Sequence, residues 1–429
     1  MRTSTSIVEQ AEAGDPARST ARVVAGRDGL GWPVAAAGTV TGVFLLSNSA
    51  TPLYAHWQAE WGFDSGMLTV VFATYMVGLI AALVVAGRMA DRFGRKAVLV
   101  PGLAAAVLSS LLFLGAQDVA WLLVARLLAG AAVGAAVTAG MAATVDLAPD
   151  RHKRTGSLIA SVSMVFGAGL GPLLAGGLAA SGSHSPQHLV FGIVTGIEAL
   201  ALAVAIMLPL KRRTKGSTRS SSGRLLAWPS APQANRRELR WGIAAFAPGI
   251  TSTSFVLSLG PTVLHSVGVS GTFIAGVVAC AMFLVATGVQ FALARLTTRA
   301  HLALSSIAAI AAMIAMVLAV TAAPVVALVV IAALLAGAAQ GLGQLAGLSL
   351  IATHVPAEKR AESNAVLNIG GYIPAGVLSV AVGYVADAFG LSTAVTLFGA
   401  VVTLAALVAL VTTTASVDHH AAEAATEDE

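Results

Sequence analysis

The chain has 429 residues, of which 57% are hydrophobic and only 10% charged, with a mean hydropathy of +0.83. A water-soluble domain carries about 25% charged residues, so this composition excludes a surface built for water and points to lipid as the solvent. The single cysteine, Cys280, lies in an apolar run and excludes a disulfide framework or a multi-cysteine metal site, and the net charge of +5 follows membrane topology rather than forming a nucleic-acid-binding patch.

Residues 1–32 are polar, lack the apolar core of a cleavable signal peptide, and are expected to form a disordered cytoplasmic arm. A helix needs about 20 apolar residues to cross the hydrocarbon core. Six such runs follow: Pro33–Tyr54, Gly66–Ala86, Ala97–Ala116, Val119–Val145, Ser157–Ala180 and His188–Leu210. Residues 211–240 are Ser-rich, strongly basic and too polar for lipid, and are predicted to link two bundles. Six more runs complete the chain: Gly242–Leu264, Thr272–Ala294, Leu302–Ala322, Pro324–Ala352, Ser363–Ala386 and Leu391–Thr413. Residues 415–429 are acidic and Ala-rich, and are expected to be a disordered cytoplasmic tail. The predicted fold class is an all-α membrane protein of twelve spans in two six-helix bundles, residues 33–210 and 241–414.

Placing both termini in the cytoplasm puts 24 of the 25 Lys and Arg residues on the cytoplasmic side and none in an outer loop. That asymmetry is the positive-inside rule, and it implies a multi-pass protein of the cell membrane. The halves also echo each other, since Arg88, Arg92 and Pro149 recur as Arg295, Arg299 and Pro356, each 207 residues later.

The one remaining basic residue, Arg126, lies inside the fourth span, and Glu198 lies inside the sixth. A charge at the bilayer centre costs at least about 2.5–3.5 kcal/mol, so each needs a partner or a wet cavity. At ~1.5 Å per residue both lie roughly 10–15 Å deep, a match that would allow them to pair. Arg126 reads either as a cavity cation, tuning a proton-binding carboxylate or attracting an anionic substrate, or as a structural donor to backbone carbonyls. Glu198 reads either as an exchanging proton site, because desolvation favours the neutral carboxylic acid, or as a packed or lipid-edge side chain.

The turn Gly87–Lys96 resembles the loop signature of the major facilitator superfamily, G-x-L-A-D-R-x-G-R-K, matching at Gly87, Asp91, Arg92, Gly94, Arg95 and Lys96, with Met89 in place of Leu. Arg126, Gly130 and Gly134 resemble a second signature in the fourth span. Gly167, Gly171 and Pro172 resemble the antiporter signature of the fifth, G-x-x-x-G-P-x-x-G-G, which here ends in Ala175-Gly176-Gly177.

The resemblance, to the twelve-helix drug:proton antiporter group in particular, implies a conformational latch. In it Gly87 and Gly94 allow a tight turn and close approach, Asp91 meets the N-terminus of the eleventh helix near Ser363 and Asn364, and Arg95 reaches Asp146. Arg88, Arg92 and Lys96 would do little more than hold orientation. It also implies that the fifth and eleventh helices, rich in Gly and Pro, pack across the halves on the eighth and second. The cavity would be lined mainly by the first, fourth, seventh and tenth helices. Its candidate substrate contacts are Asn48, Thr51, Tyr75, Ser252, Thr253, Gln290, Gln340, Gln344, Asn368 and Tyr372. This set is uncharged, which suits a lipophilic or amphiphilic compound better than a sugar or polyanion.

The expected function is proton-coupled efflux of small organic molecules such as drugs or secondary metabolites, with proton-coupled uptake of a metabolite as the alternative. The expected partners are the substrate, protons and the bilayer, with no nucleic acid; a monomer is the family expectation. An enzyme is not expected, because the sequence carries no P-loop, HExxH or GxSxG motif, and no cofactor or metal is called for.

Overall fold

A computed structural model describes residues 29–181, 185–210, 233–269, 271–322, 324–356 and 359–427. The side chains of Asp91, Arg154, Ala234, Ala361 and residues 414–427 lie outside the described residues. So do positions 1–28 of the expected arm and 211–232 of the linker.

Twelve helices are long and apolar enough to cross a membrane. They are α1 Gly31–Trp61, α2 Ser65–Ala90, α3 Lys96–Leu114, α4 Val119–Leu147, α5 Thr155–Ala179 and α6 Pro186–Met207. The second six are α7 Arg236–Ser266, α8 Thr272–Ala292, α9 Thr298–Thr321, α10 Val326–His354, α11 Glu362–Phe389 and α12 Leu391–Thr413. Large apolar side chains such as Leu200, Met207, Val377 and Leu404 are exposed on the outside of the bundle, as lipid-facing residues are.

Three boundaries differ from expectation. First, α1 does not stop at Tyr54. Pro52 interrupts the hydrogen-bond ladder as a short 3-10 turn, Thr51–Leu53, and the chain resumes as a helix, Tyr54–Trp61, that ends at Gly62 with φ 67°. Second, the last five residues of the expected linker, 236–240, are helical and begin α7. Third, the expected disordered tail is not disordered as far as Glu427, since Leu391–Glu427 is one helix. Its Ala-rich end, Ala421-Ala422-Glu423-Ala424-Ala425, is made of strong helix formers.

The duplication is geometric as well as sequential. Gly130 of α4 lies on the Tyr75 carbonyl of α2, so close that a methyl there would overlap it; Gly337 of α10 lies in the same way on the Met282 carbonyl of α8. Both members of the second pair follow the first by 207 residues. Lys153 donates to the Val145 carbonyl at the end of α4 (3.1 Å), and Arg360, again 207 residues on, donates to the Ala352 carbonyl near the end of α10 (2.7 Å). Basic side chains at helix C-termini satisfy the last carbonyls.

Within the first half α1 packs on α5, α2 on α4, and α3 on α4 and α6; within the second, α7 packs on α11, α8 on α10, and α9 on α10 and α12. The halves meet where α2 packs on α11 and α5 on α8. One face of the bundle carries the basic turns α2–α3, α4–α5, α8–α9 and α10–α11 and is called the basic face below. On the opposite face Trp57 stacks on Trp61, Phe113 and Phe191 with ring centroids 6.0–6.1 Å apart, which fastens the end of α1 to α3 and α6.

Candidate functional site

Asp118 caps α4, accepting from the N–H groups of Ala120 (2.8 Å) and Trp121 (3.3 Å). Two turns further on, Arg126 points inward and is 1% exposed. Gly130, four residues on and therefore on the same face, lets α2 approach so closely that Phe72 and Tyr75 flank the guanidinium. Its central carbon lies 5.3 Å and 5.1 Å from those ring centroids and 5.6 Å from that of Tyr54. Nη1 donates to the Ser47 carbonyl of α1, and Nε is buried with no hydrogen-bond partner. Arg126 is thus a cation held by three aromatic faces and one carbonyl, and no described carboxylate pairs with it. A three-ring arrangement of this kind attracts a cation through the ring quadrupoles.

The expected pairing with Glu198 does not occur. Glu198 is 0% exposed, and both its oxygens lack a hydrogen-bond partner. It lies against α1 at Gly42, where an added methyl would come within 3.3 Å of Oε1. Arg126 also addresses α1, but at Ser47. Five helical residues separate Gly42 from Ser47, about 7.5 Å along the axis and about 140° around it, so the two ionisable groups meet different faces of one helix. Glu198 is also not at the lipid edge.

The predicted substrate contacts do not gather in one place. Ser47 joins Asn48 to the arginine site: its carbonyl accepts from Arg126, and its hydroxyl accepts from Asn48 Nδ2 at 2.9 Å. Tyr75 of α2 and Tyr372 of α11 are both half-buried, and Tyr372 meets Phe246 edge-on at 6.4 Å. Asn368, one turn before Tyr372, donates to the Asn364 carbonyl at 2.8 Å.

Ser252 and Thr253 do not present free hydroxyls. They are buried and donate to their own helix, to the carbonyls of Pro248 (2.8 Å) and Ile250 (3.0 Å), as Ser254 also does (2.7 Å). Hydroxyl groups in apolar surroundings take the nearest backbone acceptor, which is why the polar run of α7 is not a polar wall. Thr51 lies apart, lining a small apolar cavity with Val256, Pro261, Ala275 and Val278. Gln340 is close to α7, where Gly249 packs on its backbone, and its Oε1 is buried without a partner; Gln344 and Gln290 are half-buried.

In the basic turn, Arg95 pairs with Asp146 as expected. Gly94, φ 92°, makes the tight turn that the family signature implies. Gly87 does not allow a close approach, since nothing lies within 4 Å of a methyl added there. Asp91 is in the last turns of its helix, with its side chain outside the described residues. Arg92 stacks on Phe93 at 5.3 Å. Two residues do more than hold orientation: Lys96 donates to the Ile206 and Leu208 carbonyls at the end of α6, and Arg88 pairs with Glu362 of the other half at 3.7 Å.

The α5 signature has two faces. Gly167 and Gly171 fit over the Thr41 and Leu45 carbonyls of α1 in their own half. Gly176 and Pro172 meet Thr272 and Gly276 of α8 in the other. The expected packing of α5 on α8 and α11 on α2 is what the structure has.

Sequence reasoning missed Tyr54 and Phe72 of the arginine site, Gly42 beside Glu198, and Glu362. Within each helix the spacing is regular, with Phe72 and Tyr75 three apart on α2 and Arg126 and Gly130 four apart on α4, but that these two helices meet there is set by the fold.

Residues 35–375 match the Major Facilitator Superfamily. The chain belongs to that family. Its members are secondary transporters, not enzymes; they bind small-molecule substrates and are embedded in membranes. Curated relatives match over segments of this family member. The 4-hydroxybenzoate transporter PcaK of Pseudomonas putida is 35% identical over 159 residues, 36% of this chain and 34% of PcaK. A triacylglyceride transporter of Mycolicibacterium smegmatis is 28% identical over 147 residues, 34% of this chain and 26% of that protein. The multidrug resistance protein MdtL of Escherichia coli is 33% identical over 95 residues, 22% of this chain and 24% of MdtL. The chain thus spans about a quarter to a third of the length of these relatives. Among solved structures, the nucleoside transporter NupG, as its D323A mutant, superposes with a TM-score of 0.70 at 14% identity, covering 89% of this chain and 99% of NupG. A bacterial homologue of the human lysosomal transporter Spinster gives 0.65 at 16%, covering 94% and 96%. Both likenesses are of fold.

Proposed function

We propose that this transporter exports small lipophilic or amphiphilic organic compounds in exchange for protons, by alternating access. The carrying observation is the double role of the α5 signature, which docks on α1 within its half and on α8 across the seam. A helix packed through small residues on both sides can carry the rocking of one half against the other. The sparse, uncharged polar groups at the seam suit an amphiphile, and the similarity of one segment to MdtL agrees with export. The basic face is cytoplasmic, both termini lie on that side, and the protein acts as a monomer in the cell membrane. Arg126 and Glu198 serve proton coupling from separate places. An ionised carboxylate without a partner is costly in apolar surroundings, so Glu198 carries the exchanging proton, while Arg126 sets the potential at the seam.

A second reading, proton-coupled uptake of a small metabolite, is favoured by one observation. Arg126 brings a buried positive charge with no described carboxylate beside it, which suits an organic anion, and a segment resembles a 4-hydroxybenzoate transporter. Whole-cell accumulation of lipophilic cations, antibiotics and aromatic carboxylates, with and without a protonophore, separates the two. Export abolished by the protonophore supports the first reading. Protonophore-sensitive accumulation of carboxylates supports the second, and export undiminished after collapse of the gradient sinks proton coupling.

A further inference from the structure

An α-helix begins with four backbone N–H groups that have no partner in its own ladder. In α2 three of them are accounted for, in an unusual way. Met67 donates to Asp64 Oδ1 at 2.7 Å within the same half, and Leu68 opens the ladder on the Asp64 carbonyl at 3.1 Å. Ser65 and Gly66 donate instead to Asp387, at the end of α11 in the other half: Ser65 N to Oδ1 at 2.9 Å and Gly66 N to Oδ2 at 2.6 Å.

The surroundings are shaped for this contact. A methyl at Gly66 would lie 2.7 Å from the Tyr384 ring and 2.9 Å from Asp387 Oδ2. A methyl at Gly383, one turn before Asp387, would lie 2.7 Å from the Ser65 carbonyl and collide with Thr69. Helices α2 and α11 run antiparallel, so this carboxylate bridge and the Arg88–Glu362 pair stand at opposite ends of one seam.

We infer that Asp387 is the latch of the face opposite the basic turns: its carboxylate completes the N-terminus of α2 while that face is closed and leaves it when the halves part. Both terms act in one direction. A negative charge at a helix N-terminus is favoured, and charge-assisted hydrogen bonds are the stronger kind. Parting the halves strips Ser65 and Gly66 of their acceptors and hands them to water, so the latch biases the access equilibrium without touching the substrate. It rests on the alternating access of the proposed function, and not on the direction of transport or the identity of the substrate.

Cys280 provides the readout. It is the only cysteine of the chain, and its Sγ faces Gly169 across the α5–α8 seam, 3.3 Å from where a methyl would stand. Cells and inside-out vesicles are treated in parallel with a membrane-impermeant methanethiosulfonate, and labelling of Cys280 is timed on the purified protein. A wedge variant, Gly383→Trp, forces the α2–α11 seam apart, and the preparation in which it labels fast identifies the side of the latched face. On that side Asp387→Ala labels about tenfold faster than the wild type. Asp387→Asn, which keeps an acceptor oxygen without the charge, falls between. Equal rates for Asp387→Ala and the wild type, with the wedge variant fast, overturn the latch. Fast labelling of the wedge from the vesicle side alone reverses the proposed orientation and leaves the comparison at Asp387 intact.

Discussion

Replacing Arg126 with Met keeps a flexible stem in the aromatic site and removes the guanidinium. Three ring contacts at 5.1–5.6 Å are lost, each worth about 0.5–2 kcal/mol, together with a charged hydrogen bond to Ser47 worth about 1.5–3 kcal/mol. Against these stands the desolvation of an ion that is 1% exposed and has a buried Nε without a partner, a penalty of several kcal/mol. The opposing contributions are of similar size, so folded stability should move by no more than about 2 kcal/mol in either direction. Transport should nevertheless fall about tenfold or more, because a charge retained in lipid at this cost serves function. Thermal unfolding of the purified protein in detergent and transport in proteoliposomes measure the two quantities. Arg126→Met that transports at the wild-type rate refutes the coupling role. A variant that no longer yields folded protein shows instead that the arginine holds α1, α2 and α4 together.

Three further outcomes test other parts of the structure. Glu198→Gln keeps the shape that fits Gly42 and cannot release a proton, so it should fold normally and lose proton-driven concentration of substrate while retaining equilibrium exchange; intact concentrative transport would remove Glu198 from the coupling scheme. Gly130→Ala and Gly337→Ala should each destabilise the protein by about 1–3 kcal/mol through overpacking, because a methyl at either site meets backbone of the neighbouring helix. Gly192→Ala, with nothing within 4 Å, should be neutral, and equal melting of all three would contradict the repeat geometry. Asp91→Asn should impair transport while membrane expression persists, and normal transport in that variant would count against a latch at the basic face.

Hydropathy decided the number and approximate limits of the spans, because the length of an apolar run answers directly to bilayer thickness. The 207-residue echo, visible in a few loop residues, proved to run through the glycines of α4 and α10 as well. The Arg95–Asp146 pair was also legible, since the family resemblance implied it and Asp146 ends α4 on the face that carries the basic turn. Boundaries were read less well where polarity and helicity part company: residues 236–240 are basic yet helical, and the acidic tail is Ala-rich enough to continue α12.

What each helix face meets was decided by tertiary structure alone. In lipid both the buried and the exposed sides of a helix are apolar, so the contrast that reveals the inward face of a soluble helix is absent. Depth therefore suggested that Arg126 and Glu198 pair, while packing turns one to Ser47 and the aromatic rings and the other to Gly42. The hydroxyls of α7 resembled a polar wall until their own backbone was seen to take them. Asp387 ends α11, and its acceptor role at Ser65 and Gly66 depends on residues more than 300 positions away. Sequence alone determines how often the chain crosses the membrane and which of its residues are costly there. Only the fold decides which carbonyl, ring or helix terminus offsets that cost, because such partners come from helices that are neighbours in space and distant in the chain.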